Sequence, residues 1–151
     1  MTCYGMMVSA SPGAQMPSSS KSQVPRILII EDEGLIAELM VDIIREAGCY
    51  VASIAADITS ARGAIGRADY DAAVLDYGLN QTLATELADL LIERNVPFAF
   101  VTGYPHDILE IRHRHVPLLV KPFGSDMLAR TVRALVNLPP DAARADVQWV
   151  A

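Results

Sequence analysis

Residues 27–32 read Ile27-Leu28-Ile29-Ile30-Glu31-Asp32, and this apolar run ending in two acids decides the fold. Consecutive aliphatic residues, most of them β-branched, suit a strand covered on both faces; a strand with one wet face would alternate apolar with polar. Directly afterwards the period changes. Leu35, Ile36, Leu39, Met40, Ile43 and Ile44 recur at helical spacing, which assigns them to an apolar stripe, and Gly48 stands past the end as a stop signal.

The alternation continues along the chain. Tyr50–Ala55 reads as a second strand, and Asp57–Ala68 as a second helix with Asp57 or Thr59 near its cap. Ala72-Ala73-Val74-Leu75 runs into Asp76 as a third strand. Leu83–Arg94 is a third helix with Leu83, Leu87, Leu90 and Leu91 on one side. Phe98–Val101 and Leu118–Val120 are the fourth and fifth strands. Ser125–Asn137 is a last helix burying Met127, Leu128, Val132, Leu135 and Val136, stopped before Pro139-Pro140. Strands joined through helices must lie parallel in one sheet, so the fold class is α/β with helices on both faces. Between the fourth and fifth strands, Pro105 and His113-Arg114-His115 leave room for only one or two helical turns, a fourth helix that is short or mobile. The irregular spacing of His106, His113 and His115 reads as exposed surface rather than a metal cluster.

Composition limits what this fold can do. The chain has 151 residues, 52% hydrophobic and 20% charged, enough apolar material for one packed core. Residues 1–24, rich in Ser, Met, Pro and Gly, read as a flexible leader; 25–138 form the domain; 139–151, with Trp149, read as a tail. A net charge of −6 argues against a nucleic-acid binder, which needs clustered Lys and Arg. No apolar run approaches the roughly 18–20 residues of a membrane span, and residues 1–20 lack the basic and apolar blocks of a secretory signal. Cys3 and Cys49 do not form a disulfide framework, which places the chain in a reducing cytoplasm.

In an open parallel sheet, ligands bind outside the carboxyl ends of the strands. Here those ends carry Glu31-Asp32, Asp76, Thr102 and Lys121, far apart in sequence but convergent if the fold is right. Crowded carboxylates repel unless a cation is present. Mg²⁺ resolves this with oxygen ligands and retained waters, and Asp32 and Asp76 are assigned as direct ligands with Glu31 acting through water. A screened carboxylate can attack phosphorus to form an aspartyl phosphate. Lys121 then supplies a point charge, and Thr102 a hydroxyl, to the transferred group. Taken singly each residue is weak: an acidic pair often only marks a helix start, and Thr102-Gly103 is ordinary turn chemistry. Their conjunction at successive strand ends carries the reading.

At this point the sequence resembles the receiver domain of bacterial two-component response regulators. The resemblance spans Arg26–Asn137 and rests on Ile-Leu-Ile-Ile-Glu-Asp-Glu at 27–33, Ala-Val-Leu-Asp at 73–76, Val-Thr-Gly at 101–103 and Val-Lys-Pro-Phe at 120–123. It implies a doubly wound, flavodoxin-like five-stranded sheet in the order 2-1-3-4-5. It also implies metal binding by Glu31, Asp32, Asp76 and the Gly78 carbonyl, phosphorylation of Asp76, a switch hydroxyl at Thr102, a phosphate-contacting Lys121 and a cis Lys121–Pro122 peptide. Three positions depart from the family pattern. Asn80 and Ala84 stand where Pro and Gly are common, and Leu118 replaces the fifth-strand switch aromatic.

Pro97-Phe98-Ala99-Phe100-Val101-Thr102-Gly103-Tyr104 further resembles the PFxFATGY ("FAT GUY") signature of single-domain regulators common in alphaproteobacteria, with Val101 in place of alanine. That subgroup lacks the fifth-strand aromatic, which makes Tyr104 the expected aromatic switch residue. Its members imply a stress-response setting and a histidine kinase of the HWE or HisKA2 type, or a phosphotransfer protein, as partner. With about thirteen residues after 138, the expected output is protein–protein contact or a phosphate relay or sink, with no nucleic acid and no membrane. The chain is then a phospho-acceptor rather than a turnover enzyme. Two rivals stand beside this: a phosphorylation-independent binding module, and a phosphatase of the haloacid dehalogenase type. The second would need an acid two residues after the nucleophile, where Gly78 stands.

Overall fold

The computed structural model describes residues 23–81, 83–103 and 109–138. Within them lie β1 (Arg26–Ile30), α1 (Gly34–Glu46), β2 (Tyr50–Ala55), α2 (Ile58–Arg67), β3 (Ala72–Asp76), α3 (Thr85–Glu93), β4 (Phe98–Thr102), β5 (Leu118–Val120) and α4 (Ser125–Leu135). Short 3₁₀ turns at Leu79–Gln81 and Ile111–His113 complete the described elements. All strands pair in parallel, in the order β2-β1-β3-β4-β5. The doubly wound sheet and its strand order are therefore as expected.

The two-residue period of each strand divides the core into two layers. Leu28, Ile30, Ala73, Leu75, Phe98 and Phe100 point one way and pack with Ala61, Ala64 and Ile65 of α2 and Leu87, Ala88 and Leu91 of α3. Ile27, Ile29, Ala72, Val74, Ala99 and Val101 point the other way, against Met40, Ile43 and Ile44 of α1 and Leu128 and Val132 of α4. Each fully buried Ile or Leu contributes roughly 1.5–3 kcal/mol, so the central strands must be apolar throughout. That leaves polar chemistry to their ends.

Local signals fix the helix boundaries. Asp57 caps α2, its carboxylate accepting from the Ser60 N–H at 2.7 Å, and this bond holds the Asp57 carboxyl below the usual range. Gly48, past α1, takes φ +88°, the left-handed region that favours glycine.

Several sequence expectations need correction. Leu35 and Leu39 lie on the outer side of α1, and Leu35 is 84% exposed; Ala37 takes the place in the buried stripe. Helix α3 begins at Thr85, leaving Leu83 outside it and exposed. Met127 is 60% exposed, because the inward face of α4 is set by Leu128 and Val132. Helix α4 ends at Leu135, short of Asn137. His113 is fully buried, contrary to its reading as surface, while His115 is exposed. The only helical structure described between β4 and β5 is the turn Ile111–His113. Tyr104, His106, most of the leader and the segment 139–151 lie outside the described residues.

Candidate functional site

The order β2-β1-β3-β4-β5 reverses direction between β1 and β3, the point outside whose carboxyl ends such sheets bind ligands. Glu31 and Asp32 follow β1 directly, Asp76 ends β3, Thr102 ends β4 and Lys121 follows β5. The fold therefore gathers all five side-chain positions at one end of the sheet. Carboxylate oxygens of Glu31, Asp32 and Asp76 all lie within 4.8 Å of one another.

Lys121 closes the cluster. Its Nζ donates to Asp76 Oδ2 at 3.2 Å, lies 2.9 Å from Glu31 Oε2 and 3.7 Å from Glu33 Oε1. Burial opposes its charge, but the contacts to Glu31 and Asp76 outweigh that, and its pKa sits above the ordinary lysine value. The peptide to Pro122 is cis, and the Lys121 N–H donates to the Thr102 carbonyl at 2.7 Å. Thr102 is itself fully buried.

Backbone donors orient the acids. Asp76 Oδ1 accepts from the Gly78 N–H at 3.0 Å, and Glu31 Oε1 from the Glu33 N–H at 3.1 Å. Asp32 Oδ2 accepts from the Asn80 N–H at 3.1 Å. That last bond explains a departure from the family pattern. Asn80 sits at φ +51° and its side chain donates to the Ala56 carbonyl at 3.0 Å; a proline, fixed near −65° and lacking an N–H, could do neither. Ala84 is also accommodated. It is fully buried at φ −83°, where glycine's freedom is not needed, and its N–H donates to the Tyr77 carbonyl at 2.8 Å. Leu118 lies opposite Phe100 in register and packs on the α2/α3 layer.

Electrostatically the cluster is unbalanced. Three carboxylates face one ammonium, and burial pushes the Glu31 carboxyl up to about 7 even though Lys121 opposes the shift. Glu31 Oε2 is buried and, beyond its ion pair with Lys121, accepts no well-angled hydrogen bond. Hard oxygen donors, excess negative charge and an under-satisfied buried oxygen fit a divalent cation of the Mg²⁺ kind.

Sequence reasoning missed two contributors. Asn80 appeared only as a departure, and its left-handed backbone carried no sequence signal beyond the tolerance of Asn for that region. Glu33, adjacent to the acidic pair, gained no role until its distance to Lys121 was measured. Tyr104 lies outside the described residues.

Comparison with known proteins agrees with this geometry. No family model matches the chain, and no curated protein matches it. Solved structures do. SdrG from Sphingomonas melonis Fr1 is 33% identical, with a TM-score of 0.66 over 75% of this chain and 97% of its own. SdrG in a BeF₃-activated conformation, from Pseudomonas melonis Fr1, is 32% identical, with a TM-score of 0.64 over 76% of this chain and 98% of its own. The receiver domain of the Erythrobacter litoralis PhyR response regulator is 27% identical, with a TM-score of 0.67 over 82% of this chain and 97% of its own. A parallel sheet with an acidic cluster and a lysine paired to it at its carboxyl end defines a receiver-type module. The chain belongs to the response-regulator receiver-domain family.

Proposed function

We propose that this chain is a single-domain response regulator whose Asp76 accepts a phosphoryl group from a histidine kinase in the presence of Mg²⁺. The observation that carries the proposal is the Lys121 ammonium bridging the buried Asp76 Oδ2 and Glu31 Oε2 at the carboxyl ends of β1, β3 and β5. Coverage of 97% of SdrG and of 97% of the PhyR receiver domain supports reading the described residues as one receiver domain.

Each residue has a role that follows from its position. A carboxylate oxygen of Asp76 forms the new P–O bond as the P–N bond of a phosphohistidine breaks, the electron pair leaving with the imidazole nitrogen. The Gly78 N–H, holding Oδ1, and Lys121, holding Oδ2, orient the carboxylate for attack. Asp32, Asp76, the Gly78 carbonyl and, through water, Glu31 would hold the cation, which supplies charge screening at the transferred oxygens. Thr102 and Lys121 then receive the added charge of about −1.5 to −2 on the modified side chain. The chain acts as a phospho-acceptor rather than a turnover enzyme, and its output is protein contact or a relay or sink for phosphate.

The PFxFATGY signature supports assignment to that subgroup, with Tyr104 as a switch aromatic, an HWE or HisKA2 kinase as donor, a cytoplasmic location and a stress-response setting. None of the described helices is long and apolar enough to cross a membrane. Intact mass after incubation with Mg²⁺ and acetyl phosphate tests the core of the proposal. One added phosphoryl group is expected, absent in Asp76→Asn and absent with a chelator. An unmodified wild type that also takes nothing from a kinase of this type would instead favour a binding module.

A further inference from the structure

A chain of ring contacts begins one residue beyond Asp76, on the α2/α3 side of the sheet. Tyr77 is fully buried, and its ring meets Phe100 edge to face with centroids 5.1 Å apart. Phe100 in turn meets the His113 imidazole at 5.8 Å and Phe98 at 5.3 Å. Among the described residues this is the aromatic path from the phospho-acceptor strand to the β4–β5 connection. The fifth strand offers no ring to carry a signal, since Leu118 stands there.

At the far end of that path His113 is clamped to α3. It is fully buried, and its Nε2 lies 2.8 Å from Asp89 Oδ1. The same carboxylate accepts from Arg112 Nε and Nη2, each at 3.0 Å, and Arg112 also contacts Glu110. Asp89, Arg112 and Glu110 therefore fasten the turn Ile111–His113 to the outer helix. The other imidazole nitrogen is different. His113 Nδ1 is buried and has no hydrogen-bond partner among the described residues. Buried polar atoms are nearly always paired, and leaving one unpaired costs free energy that a rearrangement supplying a partner would recover.

We propose that His113 is a positioning residue of the switch, transmitting the state of Asp76 to the segment Leu109–Val116 through Tyr77 and Phe100. The inference rests on the reading of Asp76 as the phospho-acceptor. Charge added at Asp76 displaces the end of β3, where the Tyr77 N–H donates to the Val101 carbonyl at 2.9 Å. Closely packed rings cannot absorb that displacement without moving their neighbours. In the phosphorylated arrangement Nδ1 gains a partner and the clamp to Asp89 loosens.

The test follows the imidazole nitrogens of His113 by ¹⁵N NMR in the full chain, free and with Mg²⁺ and beryllofluoride, alongside intact mass with acetyl phosphate. In the wild type, His113 Nδ1 should shift strongly while exposed His115 stays unchanged. In Phe100→Leu, phosphorylation should persist by mass and the His113 response should fall to less than half. If that variant fails to fold, Asp89→Asn, on the partly exposed side of α3, should retain phosphorylation and alter the His113 response. A phosphorylated wild type with silent His113 nitrogens, or an undiminished response in a variant, overturns the inference alone. No adduct on the wild type overturns its premise as well.

Discussion

The two ends of the sheet are built from the same strands and handle polar groups in opposite ways. At the amino ends, the one buried charge among the described residues, Arg133, donates to the Ala47 carbonyl, and the carboxylate beside the strands sits in an exposed pair. Asp71 accepts from the Arg26 N–H at 2.7 Å, and its carboxylate and the Arg26 guanidinium are both about half exposed. The groove there, about 620 Å³, is lined by Ile92, Val96, Phe98, Val116 and Leu135 among others, with no carboxylate among its described lining residues. At the carboxyl ends, the buried Glu31 and Asp76 lie with the half-buried Asp32 and Lys121, their charges unbalanced. A fold that optimised only stability would not concentrate buried charge in this way, because desolvation exceeds what the ion pairs return unless partners are complete. The difference teaches which end is kept for chemistry.

The largest expected effect breaks the carboxyl end. Lys121→Met leaves Glu31 and Asp76 buried without their cation and should cost about 3–5 kcal/mol in urea unfolding of the metal-free protein. Asn80→Pro comes next. It removes the N–H that holds Asp32 and forces a positive φ onto a ring that cannot take it, and should cost about 3 kcal/mol while weakening Mg²⁺ binding in a titration followed by fluorescence or calorimetry. At the amino end the expected effects are small. Asp71→Asn removes only an exposed pair and should cost under about 1 kcal/mol by the same unfolding measurement. If Asp71→Asn proved as damaging as Lys121→Met, the contrast between the ends would be lost.

The smallest effect concerns Cys49, which precedes β2 at the amino end. Burial raises its thiol from 9.0 to about 11, with Arg133 opposing only in part. Because the raised value belongs to the folded state, the thiol's contribution to stability is intact below about pH 9 and is lost as pH rises toward 11. In a Cys3→Ser background, Cys49 should stay unreactive to a disulfide reagent at pH 8 and react only on unfolding. Rapid labelling of the folded chain would show that the amino end is looser than described.

The site was legible in the sequence to the extent that strands announce their own ends. Apolar runs stopping at Asp76, Thr102 and the residues before Lys121 placed those side chains without any long-range information. Helix faces were less legible. Periodicity gave α1, α3 and α4 an apolar stripe but could not say that Leu35 and Met127 fall outside the buried face or that Leu83 precedes its helix, since packing decides where the stripe ends. His113 was misread for a related reason. Its burial comes from Asp89 on a distant helix and Phe100 on a neighbouring strand, neither of which leaves a local signal. Asn80 likewise became intelligible only once its φ and its bond to Asp32 were known.

The central claim is that the modified atom belongs to Asp76. Borohydride reduction after phosphorylation, followed by peptide mapping, tests it directly, because an acyl phosphate on aspartate is reduced to homoserine. The account predicts homoserine at position 76, dependent on Mg²⁺ and absent from Lys121→Met or strongly reduced there. Homoserine at position 32, or a phosphoryl group that resists reduction, would contradict it.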